Sequence, residues 1–139
     1  MPAPSQPDEI FEVYAVRYAH HERRASENFI GGDPHDGPMP MDYFTWVIRG
    51  EGCTIVFDTG FTAEVSAKRG RTHLRCPIGS LSELGIDPDS VEDVVLSHMH
   101  YDHVGNFDKF SKARFHLEKC GLARLDGDGL RAAAQAEEV

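Results

Sequence analysis

Short runs of apolar and β-branched residues recur along the chain, each bounded by glycine, proline or polar residues. Alternation of apolar and polar positions has the two-residue period of a strand, and a short unbroken apolar run is typical of a buried strand. This pattern predicts strands at residues 10–18, 42–49, 53–57, 91–96 and 113–117. Only Gly50-Glu51-Gly52 separates the second strand from the third, which predicts a hairpin.

Helical patterns are shorter and lie between the predicted strands. The sequence pattern of residues 61–69 predicts a short helix that ends at Gly70. Ser80, with Glu83 three positions later, predicts a capped helical turn before Gly85. Strands that alternate with helices, together with an antiparallel hairpin, indicate a layered α/β fold.

Residues 19–40 are rich in charged residues, glycine and proline, and predict a long loop. Long loops in compact domains are often functional. Two interpretations stay open at this point. The loop forms a wall of a substrate pocket in which Phe29 and Ile30 face an acyl chain, or it is a solvated connector.

The densest group of potential ligand side chains directly follows the predicted strand 91–96. The segment Ser97-His98-Met99-His100-Tyr101-Asp102-His103 holds three histidines and an aspartate. Because His98 and His100 alternate, extended backbone directs both towards one metal ion. Asp102 and His103 can then turn towards a second ion, since imidazole nitrogen and carboxylate oxygen are normal zinc ligands. The pattern favours a two-zinc motif at the end of a buried strand over a chance cluster in a surface loop.

The spacing His98-x-His100-x-Asp102-His103 resembles the signature of the metallo-β-lactamase superfamily. The earlier segment Val56-Phe57-Asp58-Thr59-Gly60 resembles the Asp-Thr-Gly element of the same superfamily. From Tyr14 to Lys119 the chain is most similar to N-acyl-homoserine lactonase-like members. The resemblance implies an αββα sandwich, of which this chain would form only the N-terminal half.

The resemblance also sets the expected domain organisation. Residues 10–119 would form the N-terminal part of the domain. Residues 1–9, rich in proline and polar residues, are expected to be disordered. Residues 120–139 form a divergent C-terminal tail with no counterpart in the family.

By resemblance, the activity is metal-dependent hydrolysis of a small-molecule lactone or ester, with an N-acyl-homoserine lactone as the expected substrate. A metal-bound hydroxide would open the ring, and Asp102 would act both as a ligand and as the catalytic proton shuttle to the leaving oxygen. A thioesterase or glyoxalase II-like hydrolase of the same superfamily is the alternative reaction.

Asp58 has two interpretations. It orients a ligand histidine through a carboxylate–imidazole hydrogen bond, or it is a turn or helix-cap residue bonded to nearby backbone amides. Family resemblance favours the first interpretation, in which Asp58 supports the site without binding metal.

The number of ligands is smaller than the family pattern requires. A catalytic zinc usually has three protein ligands, and the motif gives two to each of two ions. The resemblance implies a later histidine, a bridging aspartate and a final histidine, but no histidine follows His116. Our hypothesis is a truncated or frameshifted gene product, in which an active hydrolase would need the missing ligands from another chain or a rearranged site. The alternatives to an active hydrolase are a non-catalytic metal-binding half domain and an inert fragment that associates, for example as a homodimer, through exposed apolar surface.

Composition restricts partners and compartment. A formal charge of −9 on 139 residues argues against nucleic-acid and membrane-surface binding, which need a basic face. Three widely spaced cysteines and no visible signal peptide predict a soluble cytoplasmic protein. The basic residues 69–75 favour a solvated loop over carboxylate recognition. The remaining histidines of interest, His20, His21, His35 and His116, are expected to be surface or strand residues and not ligands.

Overall fold

A computed structural model describes residues 9–117, which are organised around one mixed sheet of six strands. The strands are β1 (Glu12–His21), β2 (Met41–Gly50), β3 (Cys53–Phe57), β4 (Thr72–His73), β5 (Asp93–Leu96) and β6 (Arg114–Leu117). Their spatial order is β4-β1-β2-β3-β5-β6. β1 pairs antiparallel with both β4 and β2, and β2 with β3, whereas β3, β5 and β6 run parallel.

The helices are short and lie in the connections. They are α1 (Ala25–Asn28), α2 (Ala63–Lys68) and α3 (Tyr101–Val104), with 3-10 helices at Gly79–Leu84, Pro88–Ser90 and Phe107–Lys109. Parallel pairing of β3 with β5 requires a long crossover connection. Residues 58–92 provide it, and α2 begins there with the Thr62 hydroxyl accepting a hydrogen bond from the Val65 amide.

The main core lies on one face of the sheet, where the short helices cover it. Val47, Val56 and Val94 are fully buried on three neighbouring strands and pack with helical residues such as Leu81 and Val104. The opposite face of β2 is more open. Phe44 and Trp46, which alternate with the buried Thr45 and Val47, keep 38% and 40% of their surface exposed.

A second, aromatic cluster lies where β1 and β2 approach the helices. Tyr18 and Phe61 are fully buried, with ring centroids 4.9 Å apart in an edge-to-face arrangement. Tyr43 and Tyr101 pack against Phe61 with centroids at 5.1 and 5.6 Å. This cluster links β1, β2 and the first residue of α3.

The layered α/β fold and the hairpin of β2 and β3 are confirmed. Three local predictions are wrong. The predicted loop 19–40 begins inside β1, which continues to His21, and it contains α1, held by hydrogen bonds from the Ala25 amide to the Gly37 carbonyl and from the Met39 amide to the Arg23 carbonyl. Long-range contacts therefore order a segment whose composition alone indicates a loop.

The predicted solvated loop 69–75 is also wrong in its centre, because Thr72 and His73 pair with β1 as strand β4. The expected helix-capping role of Ser80 is not found either. The 3-10 helix starts one residue earlier, and the Ser80 hydroxyl donates backwards to the Cys76 carbonyl at 2.9 Å.

The expectations for residues 1–8 and for the tail 120–139 lie outside the described residues. Among residues 9–117, no helix is long and apolar enough to cross a membrane.

We predict that Leu96→Ala lowers the free energy of unfolding by about 2–5 kcal/mol, because Leu96 is fully buried and its truncation leaves a cavity. Leu74→Ala is the matched control, since Leu74 keeps 45% of its surface exposed, and it should change stability by less than about 1 kcal/mol. Urea unfolding followed by circular dichroism measures both. Equal effects of the two substitutions would contradict the assigned core.

Candidate metal centre

The histidine motif begins where β5 ends, next to the end of β3. Phe57 pairs with Val95 in parallel register, so the residues that follow both strands emerge at the same edge of the sheet. The Asp58 amide continues this pairing by donating to the Val95 carbonyl at 2.8 Å. Asp58 and the motif are therefore neighbours in space although they are far apart in sequence.

The Asp58 carboxylate is buried and accepts hydrogen bonds from the motif. Its oxygens lie 2.8 Å from the Ser97 amide nitrogen, 2.9 Å from the Ser97 hydroxyl and 2.6 Å from His103 Nδ1. Its backbone has φ of 60°, a left-handed conformation that aspartate tolerates better than most residues. The carboxylate–imidazole contact of the first interpretation is present, and its function as support for a metal ligand stays a prediction.

The Asp-Thr-Gly segment and the motif also contact each other through their backbones. Thr59 receives the side-chain amide of Asn106 on its carbonyl at 2.9 Å and donates its own amide to the His103 carbonyl at 2.7 Å. A Cβ placed on Gly105 would lie 2.6 Å from the Gly60 carbonyl oxygen, so only glycine fits at Gly105. These contacts fix the loop that carries His103.

Sequence reasoning missed Ser97, Thr59 and Asn106 as parts of this site. Each is a small polar residue of a type that is common in loops, and no spacing rule distinguishes it. The one signal was their position, immediately next to the Asp-Thr-Gly element or to the histidine motif.

The four predicted ligands form two close pairs. His98 Nε2 lies 3.0 Å from His100 Nδ1, and His103 Nε2 lies 3.4 Å from an Asp102 carboxylate oxygen. Two ligand atoms that share a tetrahedral zinc at 2.0–2.1 Å are about 3.3 Å apart. Both pairs have a separation that one zinc ion each would fit, and the turn between them arises because α3 starts at Tyr101, directly after the extended His100.

The part of the chain that the structure describes nevertheless provides fewer donors than two catalytic zinc ions usually have. Among residues 9–117, no group of three or more histidine, cysteine, aspartate or glutamate side chains is arranged to hold a metal ion. The residues fit zinc in chemical type and in pairwise spacing. They provide two donors per ion where a catalytic zinc usually has three.

The pKa values of His103 and His98 are shifted in opposite directions. Burial alone would lower the pKa of His103, but hydrogen bonds to Asp102 and Asp58 outweigh it and raise the pKa to about 9. Burial, followed by the charges of His103 and His100, lowers the pKa of His98 and favours its neutral, ligand-competent form. Burial raises the pKa of Asp102, yet the hydrogen bond to His103 prevails and the net shift is downwards.

The other histidines lie outside this group. His20 Nδ1 is 2.7 Å from Asp42, and His116 Nε2 is 2.7 Å from Asp93 at the sheet edge. His21 contacts Arg71, and His35 is exposed. Phe29 and Ile30 are exposed at 49% and 108%, so the pocket-wall interpretation of their segment stays a prediction.

Comparisons with known proteins identify the family and the fold. The model of the Metallo-beta-lactamase superfamily matches residues 39–121. The N-acyl homoserine lactonase AiiB of Agrobacterium fabrum is 35% identical in an alignment of 82 residues that covers 50% of this chain and 30% of that protein. AiiB of Rhizobium rhizogenes gives the same identity and coverage. The chain thus spans about a third of the length of these curated relatives.

Solved structures show the same fold. A crystal structure of an N-acyl homoserine lactone hydrolase, with the product N-hexanoyl-L-homoserine at its catalytic metal center, aligns with a TM-score of 0.58 at 15% identity. The alignment covers 74% of this chain and 46% of that one. The dizinc quorum-quenching lactonase AidC aligns with a TM-score of 0.55 at 18% identity, covering 78% and 43% of the two chains.

We predict that the zinc-free protein loses stability as the pH rises from about 6.5 through 9. His103 has a folded pKa of about 9, above the ordinary value of 6.5, so its protonated form stabilises the fold fully below pH 6.5 and progressively less above it. The loss amounts to at most about 3 kcal/mol, measured by urea unfolding at several pH values.

Asp58→Asn should flatten this pH dependence, because it removes one of the two carboxylates that hold the proton on His103. Asparagine also tolerates the left-handed backbone at this position. Asp93→Asn is the control, since it removes a carboxylate that contacts His116 instead. If Asp93→Asn flattened the pH dependence as much as Asp58→Asn, the assignment to His103 would be wrong.

Proposed function

This chain belongs to the metallo-β-lactamase superfamily, and we propose that its histidine motif contributes to a two-zinc centre that hydrolyses small-molecule lactones. The observation that carries the proposal is the meeting of two donor pairs at the end of β5, with a buried carboxylate bonded to one of them. Because the chain spans about a third of its curated relatives, activity and substrate are proposals for this chain.

The proposed ligands divide between two ions. His98 and His100 would hold one ion, and Asp102 and His103 the other. Asp58 would not bind zinc. A metal-bound histidine commonly donates its other ring N–H to a carboxylate. The 2.6 Å contact between His103 Nδ1 and Asp58 assigns metal binding to Nε2, which faces the Asp102 carboxylate at 3.4 Å.

Bound zinc would supply Lewis-acid polarisation of a carbonyl and a water of lowered pKa. The contribution of the chain itself is to orient the ligands and to handle a proton. The pKa of Asp102 is lowered, so its carboxylate is ionised near neutral pH. One of its oxygens would accept a proton from the attacking water and pass it to the leaving alcohol oxygen. The Tyr18 hydroxyl, which donates to the Asp102 carbonyl at 3.1 Å, holds the backbone of that residue.

The substrate proposal is an N-acyl-homoserine lactone. It is supported by the names of the relatives, which are N-acyl homoserine lactonases at 35% identity. Two protein donors per ion leave more positions open to water and substrate than three would, and they bind zinc more weakly. Any further donors would come from outside residues 9–117.

The proposal includes a reducing compartment such as the cytoplasm. Cys53 and Cys76 are free thiols in the part of the chain that the structure describes, which is the usual state of cysteines in that compartment.

We predict that the purified chain binds zinc and, with zinc in excess, opens the ring of N-hexanoyl-homoserine lactone. Isothermal titration measures the first property, and proton release in a weakly buffered indicator solution measures the second. His98→Ala and Asp102→Ala should each remove hydrolysis and weaken zinc binding by at least about tenfold, because each deletes one of the two donors to an ion.

His116→Ala is the matched control. It deletes a histidine that contacts Asp93 at the sheet edge, and it should leave zinc binding and hydrolysis unchanged. A wild-type chain that binds zinc at the motif but opens no lactone would overturn the lactonase proposal and leave a metal-binding domain. A chain whose zinc binding is insensitive to His98→Ala would overturn the metal centre itself.

A further inference from the structure

Four arginines have no carboxylate partner within the described residues, and two of them, Arg69 and Arg71, lie near the motif. Arg17, Arg24, Arg75 and Arg114 each lie within 4.0 Å of an aspartate or glutamate oxygen. No such contact within residues 9–117 involves Arg23, Arg49, Arg69 or Arg71. This is unexpected in a chain with 23 acidic and 14 basic residues, where carboxylates are abundant.

Two of these arginines converge on Tyr101. The Arg69 guanidinium lies 3.8 Å from the centre of the Tyr101 ring, a cation–π distance. Arg71 Nη1 lies 3.1 Å from His21 Nε2 and 2.6 Å from the Arg69 carbonyl oxygen. The phenols of Tyr101 and Tyr43 are close enough to Arg71 to raise its pKa against the opposing effect of burial.

The position of Arg71 is fixed by the fold. Its amide donates to the Ser66 carbonyl at 2.9 Å, and its carbonyl accepts from the Ser66 hydroxyl at 2.9 Å. Ser66 is buried in α2, so the start of β4 is tied to that helix. A guanidinium held on a rigid element is a better recognition group than one on a mobile side chain.

Polar atoms in this cluster are shielded from solvent and have no hydrogen-bond partner. They include Arg71 Nε and His21 Nδ1, and also Arg23 Nε and His73 Nε2 nearby. Buried polar groups in folded proteins nearly always have partners, and each exception calls for an explanation. Burial, followed by the positive charges of Arg71 and Arg23, also lowers the pKa of His21.

The cluster is adjacent to the proposed zinc ligands. Tyr101 directly precedes Asp102, and it packs on Phe61 in the aromatic cluster. Tyr43 stays protonated at neutral pH, because burial and its hydrogen bond to Tyr101 raise its pKa to about 12. A ligand at this place would contact two arginines, neutral phenol groups and the aromatic cluster, next to the proposed ligand Asp102.

We propose that Arg69 and Arg71, with His21 behind them, form a recognition site for a carboxylate group beside the histidine motif. A guanidinium presents paired N–H donors that match the two oxygens of a carboxylate. If the proposed function holds, on which this part of the inference rests, the carboxylate is the one that ring opening creates on the acyl-homoserine product. The sequence favours a solvated loop at residues 69–75, but Arg71 is half-buried and its Nε has no hydrogen-bond partner, which changes that interpretation.

The test compares two ligands that differ only in charge, N-hexanoylglycine and its neutral amide, N-hexanoylglycinamide. Binding to the zinc-free chain is measured by isothermal titration with a chelator present, so the result does not depend on metal binding or hydrolysis. The anionic ligand should bind about tenfold or more tightly than the neutral one, since hydrogen bonds to charged groups are worth that much.

Arg71→Gln and Arg69→Gln should each remove most of this preference. Arg75→Gln is the matched control, because it makes the same charge change in the same basic segment at a residue that is paired with Glu83. Arg69 is exposed, so Arg69→Gln decides the question even if Arg71→Gln unfolds the chain, which circular dichroism detects. No binding of the anionic ligand, equal affinity for both ligands, or equal losses in all three variants would overturn the proposal.

Discussion

The structure of the site depends on one buried carboxylate. Asp58 sits at the end of β3 and accepts hydrogen bonds from the amide and hydroxyl of Ser97 and from His103, on the far side of the motif loop. A buried carboxylate is tolerated only when such bonds replace the water that it loses. Because these donors all come from the segment after β5, the requirement of Asp58 for partners folds the motif back onto the sheet edge. It also places the His103 ring and gives this ring its raised pKa.

The sequence was sufficient where a local pattern carries the information. The hairpin of β2 and β3 and the strand before the motif follow from apolar runs bounded by turn residues, and the motif follows from its ligand spacing. The family resemblance turned Asp58 from a plain turn residue into a candidate partner of a histidine. The structure adds the identity of that histidine, His103, which no spacing rule specifies.

The sequence was insufficient where contacts far apart along the chain decide the structure. β4 has only two residues and exists because it pairs with β1, and α1 has four residues that are anchored to Gly37. Such elements are shorter than any periodicity that can be recognised. Long-range contact also explains why sequence reasoning did not single out Arg71. Its environment is determined by His21, fifty residues earlier, and not by its basic neighbours in the sequence.

Within the described residues, both the set of zinc donors and the covering of the sheet are incomplete. The zinc ligands come as two pairs where three donors per ion are usual, and the sheet is covered by helices on one face while Phe44 and Trp46 stay exposed on the other. The resemblance implies a second sheet layer and further ligands. The described residues match less than half of each solved lactonase, which agrees with one layer of such a fold.

X-ray absorption at the zinc edge of the zinc-loaded protein would show whether the two donor pairs hold zinc. We expect nitrogen and oxygen neighbours at about 2.0–2.1 Å, with imidazole scattering that corresponds to three histidines for two zinc ions. Sulfur neighbours at about 2.3 Å would show that cysteines bind the metal, and an absence of imidazole scattering would show that the motif does not. Either result would mean that the two donor pairs are not the zinc site.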